Sequence, residues 1–238
     1  IPRITFYLLF LSMTERYTLY AEQSDIETVF KAAFDNGITY EANYNIGPGS
    51  TNPVVYSPRP SVRVISAFRW GLVPPQADDI NIGFKMINAR VGELNEQNSY
   101  KKSFQRQRCI IPANGFFEWQ TIFKKKIPFY FRTLDQELFG LAGIYEHWTS
   151  KDGNIELTTF ALVSTDANAL VKPLKDEMPA ILDRKDFDNW LDPVNSDTDE
   201  LLSLLKPYPS EKMSTYRVGQ GVNDSEKNDA ALIHPVDA

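Results

Sequence analysis

Leu138-Phe139-Gly140-Leu141-Ala142-Gly143-Ile144-Tyr145-Glu146-His147-Trp148, then Lys151-Asp152-Gly153-Asn154, then Ile155-Glu156-Leu157-Thr158-Thr159-Phe160-Ala161-Leu162-Val163-Ser164 follow one another along the chain. Two runs dense in aliphatic, aromatic and β-branched residues flank an Asp-Gly pair, which suits the tight turn of an antiparallel hairpin. Further strand-like runs are Val54-Val55-Tyr56, Val62 to Trp70, Cys109-Ile110-Ile111, Phe116 to Trp119 and Pro128 to Thr133. Helical signals lie toward the two ends. Ser24-Asp25-Ile26-Glu27 reads as a capping box, and Ile26, Val29, Phe30, Ala33 and Phe34 keep the helical period up to Gly37. Asp183 can cap a short helix through Trp190 and Leu191, and Asp197 with Glu200 a second one carrying Leu201, Leu202, Leu204 and Leu205. Tyr44 to Gly49 reads as a turn or loop. Strands in succession with helices added at each end predict an α+β fold, mainly antiparallel β-sheet curled toward a barrel, with peripheral helices.

The 238 residues are 42% hydrophobic and 13% aromatic, enough for one substantial core. One cysteine, Cys109, and two histidines exclude an internal disulfide framework, a Cys-cluster zinc site and a His-rich metal centre. No metal or cofactor is expected, and a single cysteine fits a reducing, cytoplasmic compartment. A net charge of -6 argues against broad affinity for nucleic acid. Any such site must be a focused patch, and Arg63, Arg69, Arg90, Lys101, Lys102, Arg106 and Arg108 concentrate cations in the first half. Ile4 to Leu11 is an apolar run too short to span a bilayer and about right for the core of an export signal, yet no small-x-small cleavage pattern precedes Met13, which makes an appended segment the better reading. Residues 1–12 are read as an extension ahead of a single domain at 13–238, with no membrane partner.

Two polar interruptions of apolar runs point to chemistry. Glu118 stands within Phe116-Phe117-Glu118-Trp119, and Asn88 and Arg90 lie in Ile87-Asn88-Ala89-Arg90. Burying such groups unpaired costs several kcal/mol, so each needs a reason to be there. Burial among aromatic rings would raise the pKa of Glu118 and suit it to general acid-base work. An alternative is a solvent-facing strand residue. Asn88 supplies a donor and an acceptor without charge, either to position a reactant or to stabilise a turn. Arg90, two residues on, shares its strand face and offers a fork to phosphate or a surface ion pair.

Arg69-Trp70-Gly71-Leu72-Val73-Pro74-Pro75, the Asn88 run, Arg108 to Gly115 leading into Glu118, Thr165-Asp166-Ala167-Asn168 and Met178-Pro179-Ala180-Ile181-Leu182 occur in that order. Together they closely resemble the SOS response-associated peptidase family, whose members recognise abasic sites in single-stranded DNA. The resemblance runs from about Met13 to Ile233.

The resemblance implies roles for particular positions. In the family an exposed N-terminal cysteine attacks the aldehyde of the ring-opened abasic sugar and closes a thiazolidine on the DNA. Met13-Thr14-Glu15-Arg16-Tyr17 stands where the family has Met-Cys-Gly-Arg-Phe, which puts Thr14 in the place of the nucleophile. A hydroxyl stays protonated near neutral pH without a base, so Thr14 is a far poorer nucleophile than a thiolate. Cys109, in an apolar run, is read as structural. Four residues before Pro179, where the family has a histidine, stands Lys175, and Glu177 replaces an arginine two before it. Glu118 matches the family's proton-shuttling glutamate and Asn88 its positioning asparagine. Arg16 and Ser164 align with residues that contact the DNA backbone, while Trp70 and Pro48 resemble those that wedge beside the abasic position.

The implied activity is processing of abasic sites in single-stranded DNA by a monomer through imine chemistry at Thr14 or Lys175, in the manner of a peptidase or lyase. A second possibility is a homologue that binds DNA or another partner without covalent chemistry, and a weaker third is self-cleavage before Thr14. Asn88, Arg90 and Glu118 are expected to converge near Thr14.

Overall fold

The structure, a computed structural model, describes residues 14–236. The expectations for residues 1–13, an extension and a start at Met13, lie outside that range. Strands and helices follow in the order β1 Arg16–Leu19, α1 Gln23–Phe30, β2 Ala33–Phe34, β3 Asn43–Ile46, β4 Thr51–Arg59, β5 Val62–Trp70, β6 Asn88–Arg90, α2 Asn98–Arg106 and β7 Arg108–Ala113. The chain continues through β8 Gly115–Ile122, β9 Lys125–Thr133, β10 Phe139–Thr149, β11 Glu156–Asp166, β12 Glu177–Pro179, β13 Ile181–Leu182, α3 Phe187–Leu191, α4 Thr198–Ser203 and β14 Met213–Arg217.

The hairpin expected around Asp152-Gly153 is present, with β10 and β11 paired antiparallel from Gly143 opposite Leu162 to Thr149 opposite Glu156. Gly153 adopts φ +72°, a conformation that glycine reaches without a steric penalty. From β11 the larger sheet runs through β10, β7 and β4 to β5, and β5 then pairs in parallel with β11, Phe160 opposite Trp70. Five strands thereby close on themselves. The fold is α+β, mostly antiparallel and barrel-like, with small helices at its periphery.

A second, fully antiparallel sheet has the order β14-β9-β8-β1-β3. The two sheets are joined at β7 and β8, which only Asn114 separates. That side chain is buried and each end of its amide is used: Oδ1 accepts from the Tyr20 and Ala21 amides at 2.8 and 3.1 Å, and Nδ2 donates to the Glu137 carbonyl at 2.9 Å. Gly115 follows because a Cβ there would lie 2.2 Å from the Tyr130 ring.

One large apolar cluster spans both sheets, with Trp70 fully buried between Tyr17 and Phe160. Cys109 is fully buried in it, and burial pushes its thiol pKa well above the ordinary value. Among the described residues no helix is long and apolar enough to cross a membrane.

The first helix departs from its expected form. Glu22 is its N-cap and no side chain caps it, so the Ser24 box does not form. Glu27 Oε1 instead accepts the Phe34 amide at 3.3 Å. The helix ends at Phe30 because Lys31 turns left-handed, φ 51°, and β2 then pairs in parallel with β5. Tertiary strand pairing has overridden the local period at Ala33 and Phe34. Likewise, Asn43–Ile46 is a strand against β1 rather than a loop. Asp197 does cap α4, accepting from the Asp199 and Glu200 amides, whereas the Asp183 side chain makes no capping bond.

Asn114→Ala would leave the half-buried Tyr20 and Ala21 amides and the Glu137 carbonyl without their partner. A loss of about 2 to 4 kcal/mol in unfolding free energy is expected by urea denaturation. A loss below about 0.5 kcal/mol would show that the corner is held by other contacts.

Candidate active site

Because β1 pairs antiparallel with β8, Arg16 opposite Phe117, the residues just before β1 run past Glu118. Thr14 Oγ1 donates to Glu118 Oε1 at 2.5 Å. From the other side β6, paired in parallel with β11 (Asn88 opposite Leu162), brings Asn88 Nδ2 to the Thr14 carbonyl oxygen at 3.0 Å. Asn88 and Glu118, 74 and 104 positions beyond Thr14 in sequence, meet it at one point. All three are buried.

Glu118 is fully buried, and its Oε2 has no hydrogen-bond partner among the described residues. Burial pushes its pKa up from 4.5 to about 8, against the downward pull of the Thr14 hydrogen bond and the Lys175 charge, while Glu15 adds a smaller upward push. At neutral pH the carboxyl is therefore mostly protonated and can give a proton as well as take one. Half-buried Lys175 precedes β12 and lines, with Arg90, Lys172 and Glu177, a cavity of about 250 Å³.

Arg90 is tied down by carboxylates. β11 carries β6 along one edge and β12 along the other, with Arg90 opposite Ser164 and Glu177 opposite Asp166. Arg90 Nε lies 3.3 Å from Glu177 Oε1 and Nη2 lies 3.3 Å from Asp166 Oδ1. Its side chain remains 50% exposed, so the guanidinium forms the rim of the site while Asn88 forms its floor.

Arg16 is half-buried and donates to the Glu15 carbonyl at 3.0 Å; its Nε has no partner among the described residues. Gly47 lets the guanidinium pack against the loop that carries half-buried Pro48, since a Cβ there would lie 2.3 Å from Arg16 Nη1.

Two expected DNA contacts lie elsewhere. Trp70 exposes no surface and donates its indole N–H to the Ile87 carbonyl at 2.8 Å. It is a core ring that indirectly positions β6, with no face on which a base can stack. Ser164 is 2% exposed and donates to Glu177 Oε2 at 2.7 Å, so it holds the carboxylate that clamps Arg90. The sequence reading also passes over a contributor. Asp166, in the Thr165-Asp166 motif, completes that clamp, and only the pairing of β6 beside β11 reveals it.

Among the described residues no group of three or more His, Cys, Asp or Glu is placed to hold a metal ion. The arrangement offers a buried carboxyl that can exchange protons, a fixed hydroxyl, an amide and a nearby amine. Those are the parts needed to add an amine to a carbonyl and expel water.

Comparison with known proteins adds an independent line. Residues 13–225 match the family model described as SOS response associated peptidase (SRAP). The chain is 39% identical over 223 residues to the abasic site processing protein YoqW of Bacillus subtilis, covering 93% of this chain and 99% of that one. It is 37% identical over 224 residues to the abasic site processing protein YoaM of the same organism, covering 93% and 97%. A crystal structure of a protein from Bacteroides thetaiotaomicron superposes with a TM-score of 0.82 at 28% identity, over 93% of this chain and 99% of that one.

A carboxyl whose pKa rises on folding favours the folded state while it is protonated. Stability should therefore be greatest below pH 4.5 as far as Glu118 is concerned, and be lost as pH rises toward and through about 8, by on the order of a few kcal/mol. In Glu118→Gln that loss should vanish from the difference between unfolding curves taken at pH 5 and pH 9. Lys175→Ala should move the carbon-13 titration of the Glu118 carboxyl upward; titration near 4.5 in the parent protein would overturn the burial argument.

Proposed function

The chain belongs to the SOS response associated peptidase family, and from that membership and the contacts of Thr14 we propose that it processes abasic sites in single-stranded DNA. The observation that carries the reading is the placement of Thr14 between a proton-exchanging carboxyl, 2.5 Å from its hydroxyl, and the Asn88 amide on its carbonyl. The relatives at 37 and 39% identity bear the name abasic site processing protein.

The ring-opened abasic sugar presents an aldehyde. A primary amine adds to it to give a carbinolamine, which loses water to an imine. Glu118, protonated near neutral pH, passes its proton to the departing hydroxyl, and its carboxylate takes back the proton released from nitrogen, so acid and base are regenerated. With Thr14 at a free N-terminus its amine is the nucleophile; with preceding residues attached, that nitrogen is an amide and Lys175 takes the role. Thr14 has no thiol to close a durable ring, so the imine stays reversible. The reading has the protein act as a monomer in the cytoplasm.

A second reading, cleavage of the peptide bond before Thr14, is favoured by the same short contact, because Glu118 in its carboxylate form, which gains population as pH rises toward about 8, is placed to take the proton of the threonine hydroxyl. Intact mass after incubation tests it: loss of everything before Thr14 supports self-cleavage and frees the Thr14 amine for imine formation, and an unchanged mass speaks against self-cleavage and leaves Lys175 as the amine.

Incubation with an abasic single strand should give a crosslink that appears only when borohydride is added. Glu118→Gln should slow its formation by about a hundredfold or more. A heat-stable adduct without reductant would contradict the missing-thiol argument, and absence of any trapped product would favour non-covalent binding.

Because Glu177 and Asp166 neutralise Arg90, binding of undamaged single-stranded DNA should be weak. Glu177→Gln should strengthen it and steepen its salt dependence by about 0.7 in the log-log slope, one phosphate's worth on a single strand. Arg90→Ala should do the reverse, as read by fluorescence anisotropy across a salt series.

A further inference from the structure

Away from the buried site, the β8–β9 hairpin ends in a feature that packing does not explain. Ile122 pairs with Lys125, so Phe123 and Lys124 alone make the turn, with φ 44° and 68°. Two consecutive positive φ values are the pattern that Asn-Gly fills easily, and a left-handed non-glycine residue costs roughly 1 to 2 kcal/mol. Here the positions hold a phenylalanine that is 97% exposed and a lysine. Lys125 and Lys126 follow, and none of the three lysines forms an ion pair among the described residues. An exposed ring at a strained tip beside three cations, on a chain of net charge -6, is a local reversal of both polarity and sign.

The same hairpin carries Glu118. Side chains alternate along a strand, so Glu118, Gln120 and Ile122 share one face, joined across the ladder by Phe129, Ile127 and Lys125. Along that face exposure rises from buried Glu118 through half-buried Gln120 to exposed Ile122. Five residues at about 3.4 Å each put the tip roughly 17 Å from the carboxyl, about the length of five stacked nucleotides.

We propose that the hairpin tip is a second DNA contact, in which the Phe123 ring stacks on a base and Lys124, Lys125 and Lys126 meet phosphates of the strand flanking the abasic position. Aromatic stacking with neighbouring cations binds single strands without reading sequence, and this tip supplies both. The inference rests on the abasic-site reading and adds to it a minimum length of substrate.

The test compares abasic oligonucleotides with two or ten nucleotides on each side. Phe123→Gly relieves the backbone and should raise the melting temperature while weakening binding of the long oligonucleotide about tenfold. Replacing the three lysines by alanine should lower the salt slope on the long oligonucleotide by about 2. Neither change should alter binding of the short oligonucleotide or its borohydride trapping. Phe123→Trp should restore long-oligonucleotide affinity, with its emission quenched on binding. Equal affinities of parent and Phe123→Gly for the long oligonucleotide would overturn the proposal even if trapping persists, whereas failure of every protein to trap would count against the imine chemistry instead. Unchanged DNA affinity together with lost sedimentation on phosphatidylserine vesicles would assign the tip to a lipid surface and likewise overturn it.

Discussion

Everything about the site depends on a corner at Asn114. The chain leaves the barrel at the end of β7 and enters the second sheet at the start of β8 with one residue between them, and buried backbone groups at such a bend must find partners. The Asn114 side-chain amide supplies them to two separate segments, the residues just after β1 and the connection before β10, while its backbone N–H donates to the Thr18 carbonyl. Because β1 and β8 are fixed relative to one another there, the segment before β1 is delivered onto Glu118 rather than into solvent. Closure of the barrel by β5 on β11 fixes the opposite wall, since β6 docks on that same β11.

The strands are legible in the sequence because their apolar runs are long and bounded by turn residues, and Asp152-Gly153 specifies its turn chemically. Glu118 and Asn88 are legible because a polar group inside such a run requires compensation. The end of α1 is not legible: Ala33 and Phe34 keep the helical period, and only a distant β5 edge makes a strand the better use of them. The burial of Trp70 and Ser164 escapes for a related reason. A residue type can suit stacking or phosphate contact, but strand pairing decides which way it points, and pairing is long-range information.

Charge at the site is arranged as a balance. A buried acid near neutrality sits within reach of the Lys175 charge, and a rim guanidinium is shared by two carboxylates. The guanidinium is not presented bare to an approaching phosphate chain. Arg90 thus belongs to an ion-pair network with Glu177 and Asp166, so a ligand must compete for it. That favours a substrate with a reactive carbonyl over one offering only backbone charge.

The solitary cysteine has a practical consequence. Cys109 is sealed in the core and its thiol is held in the protonated form, so thiol-directed reagents find no native target in the folded protein. A cysteine introduced anywhere on the surface would be the one reactive thiol of the molecule. Spectroscopic labels could then be attached one position at a time without first removing a native residue, which makes this chain a convenient scaffold for measuring distances between protein and bound strand.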